Sequence, residues 1–182
     1  MRSLFWPALL FLAACGGPEP NLQSQDPYER FLGERELLER VDAAAVAELV
    51  THLEDPHFLV VVGAIEVLAH HGRPEFLQHF APKLKHKHPL VRQAACAAIA
   101  EIQNPEGVPL LVDTLKDPEP AVRRSALKAL ARFPGAPGVQ AALVDAVADK
   151  EISVSFMAHR LLTDRTGKSV ERKREAWLEA LK

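Results

Sequence analysis

The residue type that most invites a chemical reading is histidine. There are eight, at positions His52, His57, His70, His71, His79, His86, His88 and His159. His86 and His88 stand two apart, and His57 is 31 residues before His88, so stacked turns would bring three imidazoles towards one ridge. No thiolate or paired carboxylate accompanies them at the spacing a zinc or iron site needs, and Lys85 and Lys87 flank them. They read as solvated turn histidines. Gly167-Lys168-Ser169 looks like the end of a phosphate loop, but the position five before Gly167 is Leu162 and no strand precedes it. It reads as a turn ahead of the last helix. Cys96 lies in Ala94-Ala95-Cys96-Ala97-Ala98-Ile99, the setting of a small buried hydrophobe in a helix. None of these groups completes an active site, so the expectation is a non-enzyme with no cofactor, metal or small-molecule substrate.

Composition narrows the scaffold that carries these residues. The 182 residues leave room for one domain with a sizeable core, and 48% are hydrophobic with Ala and Leu dominant. Gly is sparse at 9 and Tyr occurs once, a mixture that favours close-packed helices over sheets. A net charge of −2 supplies no basic footprint, and nucleic acid is not expected as a partner.

The N-terminus reads as an address. Arg2 precedes an uncharged, mostly apolar run from Leu4 to Ala14, too short for the roughly 20 residues a membrane-spanning helix needs. It ends in Leu12-Ala13-Ala14-Cys15-Gly16, which resembles the lipobox of bacterial lipoproteins. The resemblance implies cleavage after residue 14, lipid attachment to Cys15, and anchoring at the cell envelope. Gly16, rather than Asp, after the cysteine leans towards the outer membrane. Residues 15–27, rich in Gly and Pro, read as a flexible tether.

Beyond residue 28 the chain repeats itself. Segments of 17 residues starting at Leu53, Leu84, Leu115 and Val147 align without gaps, with starts 31, 31 and 32 apart. Position eight is Val60, Val91, Val122, Val154; position twelve is Ala64, Ala95, Ala126, Ala158; position sixteen is Leu68, Ile99, Leu130, Leu162. Residues four apart share a helix face, and alanine at the centre of the stripe lets helices approach closely. Asp55-Pro56, Asp117-Pro118 and Asp149-Lys150 open the segments, with Asp expected to cap the helix that follows. Upstream stretches at Asp42–Leu53, Pro74–Lys85, Pro105–Lys116 and Gly138–Ala148 read as first helices.

Asp117-Pro118, Val122-Arg123, Ala126, Ala129 and Leu130 together resemble the short HEAT-like repeat first noted in phycobilisome lyases. The resemblance implies an all-α solenoid of about four helical hairpins, over 42–72, 73–104, 105–137 and 138–166. Capping helices are expected at both ends, from Asp26-Pro27 to about Arg40 and over 167–182. His-Glu pairs, by which HEAT-like hydroxylases hold iron, do not occur here. Arg92 and Arg123 are assigned to structure, pairing with turn acids such as Asp117 and Asp149.

In such a fold the second helices line the inner side. Positions ten and fourteen there read Val62 and Glu66, Gln93 and Ala97, Arg124 and Lys128, Phe156 and Arg160. Arg124, Lys128, Phe156 and Arg160 form the candidate partner-binding face, since Arg and aromatics anchor interfaces. The expectation is a lipid-anchored scaffold for an unidentified protein partner. Its rivals are a small metal-dependent or lyase-like enzyme and a structural lipoprotein that binds cell wall.

Overall fold

The computed structural model describes residues 22–37 and 43–182. The expected signal segment, Cys15 and residues 15–21 lie outside the described residues. Among the described residues every regular element is helical: α1 (Pro27–Glu36), α2 (Ala43–His52), α3 (Phe58–His70), α4 (Leu77–Phe80), α5 (Pro89–Ile102), α6 (Val108–Thr114), α7 (Pro120–Leu130), α8 (Val139–Ala146), α9 (Ile152–Thr166) and α10 (Arg174–Ala180), with short 3-10 turns flanking α4 and preceding α6. Hairpins α2–α3, α4–α5, α6–α7 and α8–α9 stack in order, and the second helices pack directly on one another, α3 on α5, α5 on α7, α7 on α9. First helices touch their neighbours far more sparsely, which puts the second helices on the tighter side of the stack.

The spine is the one the repeat columns describe. Val60, Val91, Val122 and Val154 are fully buried, as are Ala64, Ala95, Ala126 and Ala158, and Leu68, Ile99, Leu130 and Leu162. With no methyl to spare at position twelve, adjacent helices close until the flanking Val and Leu side chains interlock.

Two of the first helices are not continuous. Pro82 falls inside Pro74–Lys85, which breaks into a 3-10 turn, the single turn of α4 and a second 3-10 stretch. Pro109 likewise confines α6 to a start at Val108, after a 3-10 turn at Pro105–Gly107. A proline ring inside a helix removes a donor and crowds the preceding turn, so the α geometry restarts at the ring.

The turn acids do a different job from the expected one. The N-cap positions of α1, α3, α5, α7 and α9 are Asp26, His57, His88, Glu119 and Glu151, two residues past the opening turn residue, and only Asp26 and His88 accept a helix N–H through the side chain. Asp55, Asp117 and Asp149 instead fold the turn, accepting from the backbone N–H of His57, Glu119 and Glu151 at 2.8–2.9 Å. Each then takes an arginine from the repeat before it. Arg92 grips Asp117 through Nε and Nη2 at 2.7 and 2.8 Å, and Arg123 grips Asp149 at 2.7 Å through both. The remaining guanidinium nitrogen, Nη1, donates to the two carbonyls at the start of its own turn, His86 and Lys87 or Asp117 and Pro118. These are planar bidentate clasps between repeats, the geometry in which Arg cannot be replaced by Lys. Burial pushes the Asp149 carboxyl up, yet the Arg123 guanidinium and the Glu151 N–H outweigh it and hold the group below the usual carboxylate range.

A third clasp reveals a repeat that the columns concealed. Arg30 grips Asp55 at 2.9 and 3.0 Å and donates through Nη1 to the Ser24 and Gln25 carbonyls. Helix α1 packs on α3 as α3 packs on α5. The N-terminal capping helix is therefore the second helix of a fifth unit, in register with Leu22 at position one, Arg30 at nine and Gly33 at twelve. Its turn, Leu22 to Asp26, folds back on α1 within the segment expected to be tether.

At the joint between α3 and α5 the clasp is missing on both sides. Val61 stands at the arginine position, and His86 stands where the acid belongs. His86 keeps the turn by accepting from the His88 N–H through Nδ1 at 3.0 Å, and burial holds its imidazole below the ordinary histidine range. Phe58 stacks on His88 at 3.7 Å between ring centroids.

Below α1 lies a buried polar pair. Glu34 Oε1 meets His52 Nδ1 at 2.6 Å, with Glu34 fully shielded from solvent and its Oε2 without a partner among the described residues. Burial, only partly offset by the bond to His52, raises the Glu34 carboxyl to about 7, while that bond raises His52. Gly63 on α3 makes the room: a Cβ there would come within 2.2 Å of Oε2 and 2.8 Å of the Phe31 ring. At the other end Gly167 (φ 67°) stops α9, as the turn reading expects, and the chain returns to lay fully buried Trp177 on the array. The Trp177 indole N–H donates to His159 Nδ1 at 3.0 Å.

Candidate interaction surface

The buried columns dictate what is left outside. With positions eight, twelve and sixteen turned into the spine, positions six, ten and fourteen of each second helix fall about 200° away and align as a second stripe. On α9 that stripe is Ile152, Phe156 and Arg160, with Ile152 71% and Phe156 57% exposed. On α7, packed beside it, the stripe carries Arg124 and Lys128, both exposed. The structure therefore gathers the four residues singled out in the sequence on adjacent helices and adds Ile152. The signal for Ile152 was in the chain: it shares its column with Phe58, Pro89 and Pro120.

Ile152 and Phe156 stand one turn apart on α9 as an exposed apolar pair beside the cations of α7. Among the described residues Arg124, Lys128 and Arg160 make no ion pair, in contrast to the clasping arginines beneath them. Asp164, one turn beyond Arg160, does not pair with it.

The ridge histidines are taken up in packing and turn bonds. His86 Nδ1 is already an acceptor, Phe58 stacks on both His57 and His88, and His159 is engaged by Trp177. Among the described residues no group of three His, Cys, Asp or Glu side chains is placed to hold a metal ion. Cys96 is fully buried on α5, and burial pushes its thiol up to about 12, far from the thiolate that redox or nucleophilic chemistry requires.

Comparison with known proteins bears on the scaffold. Residues 77–156 match the family described as HEAT repeats. The fold is an α-solenoid of stacked helical hairpins. Among solved structures it is similar to Escherichia coli YibA (22% identity, TM-score 0.70), with 88% of this chain covering 60% of that one. It also resembles an engineered protein (22%, TM-score 0.58, 79% of this chain and 76% of that one). A third likeness is to a designed armadillo repeat protein in complex with the peptide (KR)4 (20%, TM-score 0.55, 88% and 96%). Identities this low speak for the fold alone. No curated protein sequence matches significantly. Within the solenoid the match spans α4 to the first turn of α9, so Phe156 lies at its edge and Arg160 beyond it.

Proposed function

We propose that this chain is a non-catalytic scaffold, anchored by lipid at Cys15 to the bacterial cell envelope, that binds a protein partner through the second-helix face of α7 and α9. The observation that carries the reading is an exposed Ile152–Phe156 pair framed by Arg124, Lys128 and Arg160, on a solenoid whose other arginines of that region are consumed in structure. Aromatic and guanidinium groups supply the largest share of energy in protein interfaces, and helical-repeat surfaces are the kind that bind other chains. The anchor rests on the lipobox-like Leu12-Ala13-Ala14-Cys15, and the outer-membrane leaning on Gly16.

Capture from envelope extracts tests the face. The protein should retain at least one partner that both Arg124→Glu and Phe156→Ala lose, with thermal melts unchanged because both side chains are exposed. Partners insensitive to both substitutions would reject the face. Palmitate labelling that persists in Cys15→Ala would reject the anchor.

A further inference from the structure

Charge is distributed unevenly along the second-helix face. On one stretch it closes on itself, Arg35 with Glu66 at 3.1 Å and Arg132, just past the end of α7, with Glu101 at 3.4 Å, each pair bridging adjacent repeats. A groove between α3 and α5, floored by Ala94, Ala97 and Ala98, lies between those two pairs. Further along, the positive charges have nothing to close on: Arg124, Lys128 and Arg160 stand without counter-ions among the described residues, beside the two exposed apolar side chains.

Resting on the scaffold reading, we infer that the partner presents an acidic polypeptide segment to α7 and α9, with an apolar side chain set among its carboxylates. The dimensions suit one. Four residues along a helix rise about 6 Å, the step from Arg124 to Lys128, and alternate residues of an extended chain are about 6.6 Å apart. Packed helices lie about 8–10 Å apart, which puts Arg160 and Phe156 within reach of the same segment. Ile152 and Phe156 give an apolar residue something to cover, which a bare polyanion would leave wet. The chain's net charge of −2 gives a polyanion no long-range attraction, so recognition falls to the local cations. Glu66 on α3 and Glu101 on α5 are each matched by an arginine of the neighbouring repeat, which lowers the repulsion an acidic chain would meet there.

The test uses the purified protein in nonionic detergent and a fluorescent peptide of Glu-Phe-Glu-Gly repeats. Its counterparts carry Gln or Lys in place of Glu, and vesicles of phosphatidylglycerol and phosphatidylcholine serve as the alternative anionic surface. Binding of the Glu peptide, weakening with salt, should drop roughly tenfold or more in the Gln peptide and in the Arg124→Glu/Lys128→Glu protein. Phe156→Ala should weaken it several-fold. Equal binding of Glu and Gln peptides, binding of neither, or indifference to the double charge reversal would overturn the acidic class. Vesicle binding that the double reversal abolishes, with no peptide binding, would overturn it in favour of a lipid headgroup. Partner capture that needs Phe156 while the peptide series shows no charge preference would retire this inference and leave the scaffold reading standing.

Discussion

Removing Arg123 probes the clasp at its strongest point. Its side chain is 5% exposed and that of Asp149 11%, and the guanidinium makes two bonds to the carboxylate plus two to backbone carbonyls. In Arg123→Ala the Asp149 carboxylate keeps only the Glu151 N–H, and the Asp117 and Pro118 carbonyls lose their donor. Breaking one side of a shielded pair of this kind costs about 3–5 kcal/mol, because a charge is left buried without its partner. For a domain of this size each kcal/mol lowers the melting temperature by about 2–4 °C, so the expected fall is about 6–20 °C. Circular dichroism melts of Arg123→Ala, Asp149→Ala and the double variant close the cycle, and the double should be much less destabilised than the sum of the singles. Arg132→Ala, whose pair with Glu101 is half-exposed on both sides, should cost less than about 1 kcal/mol. If Arg123→Ala melts within a degree or two of the parent, or if the two losses simply add, the account of the clasp is wrong.

Three further outcomes follow from the same contacts. Glu34 and His52 both bind their protons more tightly folded than unfolded: the stability from Glu34 is full below about pH 4.5 and drains as pH rises through about 7, and that from His52 is full below about pH 6.5 and is lost as pH rises beyond it. Amides of α1 should therefore lose intrinsic-rate-corrected hydrogen-exchange protection between pH 6 and 8.5, with Asp55, Arg30 and Glu48 as the neighbouring charges; a flat profile would contradict this, and Glu34→Gln should largely flatten it. Gly63→Ala pushes a methyl into Glu34 and Phe31 and should destabilise by about 1–3 kcal/mol in urea unfolding, a cost that Glu34→Ala in the same chain should partly relieve. Cys96 should stay unmodified by a thiol reagent at pH 8 and react only when the chain unfolds; rapid native labelling would show that α5 opens freely.

The spine could be read from the chain because its physics is local and periodic: Val, Ala and Leu four apart, repeated at a constant interval, admit one packing. The Arg92–Asp117 and Arg123–Asp149 pairs were legible for the same reason. Helix α1 was not recognised as a repeat because its columns are filled untypically, Glu29 for Val and Gly33 for Ala. Two signals were nonetheless present: Leu22 lies 31 residues before Leu53, and Arg30 to Asp55 spans the same 25 residues as Arg92 to Asp117. The breaks in the first helices were written in Pro82 and Pro109. The Glu34–His52 pair could not be read at all, since only the approach of α1 to α3 over Gly63 brings an acid and a base 18 residues apart into one dry pocket. On the candidate face the residue types were legible in the chain, but the missing counter-ions emerged only from the three-dimensional arrangement.

The clasp has a direction: one repeat lends the arginine and the next supplies the acid. At the first turn the acid's place is held by Ser24, whose hydroxyl accepts from the Asp26 N–H, and at the last repeat the arginine's place is held by Ser155, bonded to the Val147 carbonyl. Neither serine can take its half of the joint, so among the described residues the clasp belongs to the units between them. Since α3 and α5 stack without it, the fastening reinforces a column that the apolar spine can raise unaided, and its strength is concentrated in the interior joints.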